Sequence, residues 1–386
     1  MIILLAHNYY RQAGGEDSVF ASEMELLQQY GHSIIKYVDF NEGVDGLNVP
    51  RQMVWSQETY RKLRGILREQ KPEIAHFHNT FFAMSPSVYY ACQDENIPVV
   101  QTLHNYRLLC PVALFYRDGQ ICEECLDKSL LSGIIHHCYH DSRLQTAAVA
   151  NMLLIHRWMG TWKNKVDTFI ALTQFARQKF IQGGIPPEKL TIKPNFVPDP
   201  GPGKHLGEYV LFVGRLSSEK GIKTLLEAWQ QNKSVPLKII GNGPLKGLVE
   251  QVASENSKIE YIGLQKRETI FKNMKDARFL IFPSECYEGF PMVLGEAFAC
   301  KLPVVAANTG AASEIIKNQK NGLHFRTGDP NDLTAKVHWA WEHSDEMAQM
   351  GLNARHEYEQ KYSPKKNYEM LIDIYQHTIE NHKAIK

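Results

Sequence analysis

One unit recurs along most of this chain: a short β-branched run, a turn, then an amphipathic stretch. In the first half the runs are Ile2–Ala6, Ser33–Val38, Ile74–His78, Val99–Leu103 and Thr168–Leu172. In the second half they are Tyr209–Val213, Leu237–Ile240, Ile259–Ile262, Phe279–Phe282 and Val304–Ala306. Many are apolar throughout rather than alternating, the pattern of strands covered by helices on both faces of a parallel sheet. Two sets of such runs predict an α/β chain with two doubly wound domains. The length, 386 residues, agrees with this at ~100–200 residues per domain.

The break between the sets is Lys193–Glu208, KPNFVPDPGPGKHLGE, with four prolines and three glycines. Proline removes backbone donors and glycine resists order, so this segment reads as a linker. A long loop inside one domain is the alternative. The expected division is 1–197, carrying a cysteine-rich insertion at about 106–142, then 198–362, then a helix over 363–386 that crosses back to the first domain. Apolar residues at helical spacing cover Asp332–Tyr362 and Lys365–His382, with Ser363-Pro364 between them.

Composition excludes several classes. Lys+Arg is 43 against Asp+Glu 42, a formal net charge of +1, which argues against broad nucleic-acid binding driven by bulk charge. A hydrophobic share of 44% supplies packed cores, so a wholly disordered chain is excluded. No apolar run reaches the ~18 residues a membrane span needs. The start, MIILLAHNYY, reads as a buried first strand and not as a leader, so a cytoplasmic protein is expected.

Three motifs follow strands and precede helices. Gly14-Gly15-Glu16-Asp17 precedes the amphipathic stretch Ser18–Tyr30. Its glycines let backbone approach a ligand, and free N–H groups at a helix start attract anions. A glycine-rich turn with a helix cap is the plainer alternative, and the pattern is not the GxGxxG of nicotinamide binding. Gly214-Arg215-Leu216-Ser217-Ser218-Glu219-Lys220-Gly221 carries two cations five residues apart, a set suited to a diphosphate. A solvated loop is the alternative there. Ser284–Ala297 contains Glu288 and Glu296 eight positions apart, with Pro291 placed to begin a helix. Carboxylates there suit sugar or ribose hydroxyls. Glu296 lies in an otherwise small, apolar run, where a carboxylate needs a partner.

GRLSSEKG, IIGNGP at Ile239–Pro244 and ECYEGFPMVLGEA together resemble the retaining GT-B glycosyltransferases of the glycogen-synthase and sucrose-synthase type, the group 1 family of bacterial polysaccharide enzymes. The resemblance covers most of the chain. It implies two Rossmann-like domains facing a central cleft. It implies that Arg215 and Lys220 neutralise the donor diphosphate, that Glu288 faces the transferred sugar, and that Glu296 holds the ribose hydroxyls. The backbone N–H groups of Met292 and Val293 would approach the phosphate. Gly241, Asn242, Gly243 and Leu264 would border the base, and Gly14 and Gly15 would face the diphosphate from the other domain. Gly214, Gly289 and Phe290 join the donor-binding set. His104, in QTLHNY, matches a family histidine near the sugar. The family often carries aspartate at the next position. Here it is Asn105, which removes any general-base role from that position.

The implied reaction moves a hexose from a nucleotide-diphosphate sugar to a saccharide or lipid-linked saccharide, in cell-envelope polysaccharide or glycolipid assembly. A uridine donor is the first expectation and a guanosine donor the second. The cation pair would replace a divalent metal, so no catalytic cofactor is expected. A nucleotide-sugar epimerase or phosphorylase on the same architecture is a second reading, although no lysine motif for pyridoxal phosphate is evident. A non-catalytic nucleotide-sugar or zinc-binding scaffold is a third.

Cys110, Cys122, Cys125 and Cys138 fall within about thirty residues, and Cys122-x-x-Cys125 is a metal-knuckle spacing. In a reducing compartment this suggests a structural zinc site, with unliganded buried thiols as the alternative. After it, Leu144–Lys165 mixes apolar, tryptophan and basic residues. Packing on its own domain is the first expectation, and a peripheral contact with the inner face of a membrane is the second.

Overall fold

The computed structural model describes residues 1–10, 14–41, 49–232 and 234–384. Its strands, in chain order, are β1 (Ile2–Tyr9), β2 (Ser33–Phe40), β3 (Ile74–Asn79), β4 (Val99–Leu103), β5 (Tyr116–Arg117), β6 (Gln120–Ile121) and β7 (Thr168–Ala171). There follow β8 (Leu190–Ile192), β9 (Val210–Val213), β10 (Leu237–Ile240), β11 (Ile259–Gly263), β12 (Leu280–Phe282), β13 (Val304–Ala307) and β14 (Gly322–Phe325).

The chain forms two compact units. The first comprises Met1–Phe115, Cys122–Asn195 and Asn367–Lys386, and the second Tyr116–Ile121 and Phe196–Lys366. In the first, six strands lie in the order β2-β1-β3-β4-β7-β8, every pairing parallel. β3 and β4 are buried along their whole length, as covering on both faces requires. The terminal helix Pro364–Ala384 inserts Leu371, Ile374 and Tyr375 among Ile3, Leu27, Ile74, Val100 and Ile170. In the second unit six strands lie in the order β11-β10-β9-β12-β13-β14, again all parallel. Its core centres on Phe212, Leu225, Trp229, Ile239, Phe279 and Val305, all at most 3% exposed.

The observed elements differ from the sequence expectations at the edges. β8 and β14 are outermost strands, three and four residues long, and their runs are too short for a periodic signal. The division into units falls at Asn195/Phe196, and the start of the proline-rich segment is buried: Lys193 is 1% exposed and Val197 0%. The hairpin β5–β6 belongs to the second unit, although the insertion around it belongs to the first. The helix expected over Asp332–Tyr362 is two helices, Pro330–Glu342 and Ser344–Glu357, followed by a wider turn at Tyr358–Tyr362. That expected over Leu144–Lys165 is interrupted at Met159-Gly160 into Arg143–Trp158 and Thr161–Asn164.

Both sheets have a topological switch point, where successive strands depart to opposite sides. In the first unit it lies between β1 and β3, in the second between β9 and β12. Loops at the carboxyl ends of such strands diverge and leave a crevice, where ligands of open α/β sheets bind.

Candidate functional site

In the second unit the cation-bearing loop leaves β9 and the Glu288 loop leaves β12, on either side of the switch point. The two are laced together: Glu285 N donates to Glu219 O at 2.9 Å, and Ser284 Oγ donates to the same carbonyl at 3.3 Å. Gly221 allows this approach. Its φ is +69°, and a Cβ there would lie 2.0 Å from the Pro283 carbonyl oxygen. Lys220 is thereby brought to Glu288, with Nζ 2.7 Å from Oε1. Burial alone would lower the lysine pKa, but the Glu288 carboxylate outweighs it and holds the group above its ordinary value. Arg215, on the same loop, is exposed.

The loop that follows β10 packs against the β9 loop just as closely. Gly241 has φ +150°, and a Cβ there would meet Gly214 O at 1.8 Å. Leu216 N donates to Asn242 O at 3.0 Å, and the Asn242 side chain accepts from Gly243 N at 2.8 Å. Leu264, just beyond β11, is 74% exposed.

The helix Met292–Ala299 begins after Pro291, which offers no side-chain cap, and its third amide, Leu294 N, donates to Pro291 O. Helix-start N–H groups of this kind suit an anion. Glu296 lies within that helix, and its carboxylate is 3.4 Å from Arg267 Nη2. Burial raises the Glu296 pKa and Arg267 opposes the rise. Gly289 precedes Phe290, whose ring is buried against Tyr362 at 5.3 Å between centroids, so only its backbone is available to a ligand.

The first unit carries a buried polar network at the carboxyl ends of its central strands. Glu23, on the helix Gly15–Gln29, is 1% exposed and binds Lys193 Nζ at 2.9 Å. The same ammonium donates to Asn367 Oδ1 at 3.0 Å. His78 Nε2 lies 3.0 Å from Glu23 Oε1, and His78 Nδ1 lies 2.9 Å from His104 Nε2. His76 meets Tyr375 and Thr102 hydroxyls at 2.7 and 2.8 Å. Burial would raise the Glu23 pKa, but Lys193, His78 and His76 drive it well below the ordinary carboxylate range. Burial pushes His78 down to about 4, and burial and the neighbouring His78 and His7 push His104 lower than its ordinary value as well.

The glycine motif begins that helix: Gly14 N donates to Asp17 Oδ2 at 2.8 Å, while Asp17 Oδ1 is 2.7 Å from His7 Nε2. Asn105 Nδ2 donates to Glu16 Oε2 at 3.4 Å. A glutamate carboxyl group thus stands beside Asn105. Burial, then Asp17, pushes the Glu16 carboxyl up to about 8. A cavity of about 50 Å³ is lined by His78, Asn79, His104, Asn105 and Arg107 among others.

In the cysteine insertion Cys125 packs against Gly133. Cys125 Sγ and the Pro111 ring would lie 3.3 and 3.2 Å from a Cβ at Gly133, and Cys138 N donates to Gly133 O at 3.1 Å. Burial raises the Cys125 thiol to about 12, and Cys110, Cys138 and Cys122 add to the rise. Among the described residues, the metal-type ligand atoms gathered within 4.8 Å of one another are those of Glu23, His76 and His78. The four thiols therefore stand wider than a closed tetrathiolate. The helix Arg143–Trp158 buries Val149, Ala150 and Leu153 and exposes Leu144 and Trp158, at 85% and 88%, whereas Trp162 is 4% exposed. No described helix is long and apolar enough to cross a membrane.

Sequence reasoning did not single out Glu23, Lys193 or Arg267. Glu23 left a signal: it falls on the buried stripe Val19, Phe20, Glu23, Leu26, Leu27 of its helix. Lys193 sits in what reads as a linker, and Arg267 opens an exposed helix, Arg267–Asp276, so neither stood out.

Relatives and family models agree with this layout. A model of glycosyltransferase family 4 matches residues 8–199, and one of glycosyl transferases group 1 matches 202–357. An uncharacterized glycosyltransferase of Methanocaldococcus jannaschii is 25% identical over 88% of this chain and 87% of its own length. Another from the same organism is 33% identical over 42% of this chain, an alignment that spans 48% of that relative. The Anabaena HepE structure in complex with UDP shares the fold, with a TM-score of 0.70 and 18% identity, covering 98% of this chain and all of that one. With a glycosyltransferase model on each unit and GT-B neighbours over its whole length, the chain belongs to the group 1 glycosyltransferase family.

Proposed function

We propose that this protein is a retaining, metal-independent hexosyltransferase. It would move a sugar from a nucleotide-diphosphate donor to a saccharide or lipid-linked saccharide in polysaccharide or glycolipid assembly. The observation that carries the reading is the set at the second unit's switch point: Arg215 exposed, Lys220 paired with Glu288, and the amino end of the helix Met292–Ala299 without a side-chain cap. The UDP bound by the Anabaena relative supports a uridine donor.

The charges give the mechanism. Breaking the bond from the anomeric carbon to the phosphate oxygen leaves positive charge on the sugar and negative charge on the diphosphate. Arg215 and Lys220 stabilise that anion more than the intact donor, which lowers the barrier. The Met292 and Val293 amides add fixed dipoles. Glu288, held by Lys220, meets the sugar, and Glu296, steadied by Arg267, accepts from the ribose hydroxyls. The departing phosphate takes the proton of the incoming acceptor hydroxyl, on the face it leaves, and configuration is retained.

The test is incubation with UDP-hexoses and GDP-hexoses, with and without saccharide acceptors and with excess EDTA, followed by NMR of the product. Release of the nucleoside diphosphate, transfer that survives EDTA and a retained anomer are expected. Loss of activity on chelation overturns metal independence, and an inverted anomer overturns the stereochemistry. Conversion of the sugar without an acceptor would instead identify an epimerase.

A further inference from the structure

We propose that Glu23 and His78 are positioning residues that lock His104 as its Nε2–H tautomer, leaving Nδ1 as a lone-pair acceptor for a substrate hydroxyl. The identity of that hydroxyl as a sugar's rests on the transferase reading, whereas the tautomer does not.

The argument is a chain of donors and acceptors. Glu23 Oε2 lies 2.9 Å from the Lys193 ammonium, so the carboxylate is ionised and only accepts. Its Oε1, 3.0 Å from His78 Nε2, therefore requires the His78 proton on Nε2. His78 is 2% exposed and its ring also approaches His76, at 4.6 Å between centroids, so it stays neutral. Its Nδ1 then has a lone pair and no proton. The 2.9 Å contact from that nitrogen to His104 Nε2 places the His104 proton on Nε2. The two rings lie 5.1 Å apart with planes 21° from parallel, and burial opposes a second proton, which would charge the His104 ring. His104 Nδ1 is consequently unprotonated.

Glu23, His76 and His78 could also suggest a metal site. Lys193 argues against that, because a fixed ammonium already neutralises Glu23 at 2.9 Å and a divalent cation beside it would be repelled. The lysine fixes the charge of the first member of the relay. His104 lines the cavity of the first unit with Asn79, Asn105 and Arg107, and the amide oxygens of Asn79 and Asn105 are engaged by the Phe81 and Arg107 backbone amides. The lone pair of His104 gives that wall an acceptor. A hydroxyl donates to it, and a deoxy analogue leaves it unpaired, at a cost of roughly ten- to hundredfold in binding.

The protein labelled with 15N-histidine tests this directly. Long-range proton–nitrogen spectra at pH 7, with His104 assigned through His104→Gln, should show Nε2 protonated and Nδ1 bare. A proton on Nδ1, or on both nitrogens, overturns the proposal whether or not the protein is a transferase. Two variants separate positioning from packing. In His78→Asn the amide oxygen replaces Nδ1 as acceptor, and in His78→Leu nothing does. His104 should keep its tautomer in the first and become a mixture in the second. kcat/KM should fall roughly tenfold further in the second. Equal losses with an unchanged tautomer overturn the positioning role. If either variant fails to fold, the spectrum of the unsubstituted protein decides. Absence of turnover with every nucleotide sugar, alongside the expected tautomer, would refute the transferase reading alone.

Discussion

Removing both partners of the Lys220–Glu288 pair should cost less than the sum of the costs of removing each. At 2.7 Å, two unit charges attract by about 1.5 kcal/mol in bulk water and about 6 kcal/mol at the effective dielectric of a protein surface. Side-chain exposures of 28% and 15% place this pair between two regimes. Exposed pairs contribute about 0–1 kcal/mol, and breaking a buried one costs about 3–5. A coupling of about 2 kcal/mol is therefore expected in a cycle of Lys220→Ala, Glu288→Ala and the double variant. Urea unfolding is the assay, with thermal shifts of about 2–4 °C per kcal/mol for a unit of this size as a check. Lys220 is held above its ordinary 10.5, so its contribution is complete below that pH and fades only as pH rises through the raised value. The coupling should accordingly be flat from pH 7 to 9. Additivity within about 0.5 kcal/mol would show that the pair does not form, and the placement of both residues would fall with it. Catalysis provides a separate reading. Lys220→Ala should cost about a hundred- to thousandfold in kcat, the usual consequence of losing one fixed stabiliser of a developing anion.

Glu16→Gln should stabilise the protein increasingly as pH rises from the ordinary carboxyl value of 4.5 to about 8. Across that interval the folded carboxyl keeps a proton that the unfolded chain has lost, so the parent weakens while the amide does not; parallel urea midpoints would refute the assignment. The four thiols at 110, 122, 125 and 138 are proposed to close on a structural zinc ion, predicting about one zinc per chain by elemental analysis and a lower Tm in Cys125→Ser. Metal-free protein with an unchanged Tm ends that idea. If the exposed face of the helix Arg143–Trp158 meets anionic lipid, the protein should float with such vesicles and Trp158→Ser should reduce flotation. Failure of the parent to float is the contrary result. Trp162 is not a useful control, because at 4% exposure its removal would damage the core.

Fold class was readable because parallel strands covered on both faces carry little but apolar residues. β13 is buried throughout and wholly apolar, whereas β3 and β4, buried throughout as well, set His76, His78, Asn79, Gln101 and Thr102 among their apolar residues. The loops at the second switch point were readable too, since close backbone approach leaves glycine as the residue at 221 and 241. What could not be read was partnership. Glu288 and Lys220 sit 68 positions apart, Glu23 and Lys193 170, and nothing local in either segment announces the other. Burial of Glu23 was implied by the stripe it occupies, but the lysine that makes its burial tolerable lies in a segment rich in proline, a composition that elsewhere means solvent. Phe290 shows a different limit. A conspicuous aromatic beside the donor motif invites a ligand role, yet its ring fills the core against Tyr362.

The Arg267–Glu296 contact carries a consequence for donor binding that a pure packing role would not. A carboxylate accepts from two ribose hydroxyls only while ionised, and burial already pushes Glu296 toward its neutral form. Arg267, 3.4 Å away and 42% exposed, is the opposing charge. Arg267→Ala should leave the chemical step intact and raise KM for the nucleotide sugar about three- to tenfold at pH 8, the range expected for a half-exposed pair. At pH 6 the penalty should be larger, because without the guanidinium more of the Glu296 population is protonated, with one oxygen turned donor and its acceptor strength reduced. Arg267→Lys should recover most of the loss by restoring the charge without the planar fork. A KM that rises equally at both pH values would mean that the arginine touches the donor itself. An unchanged KM would mean that Glu296 does not hold the ribose.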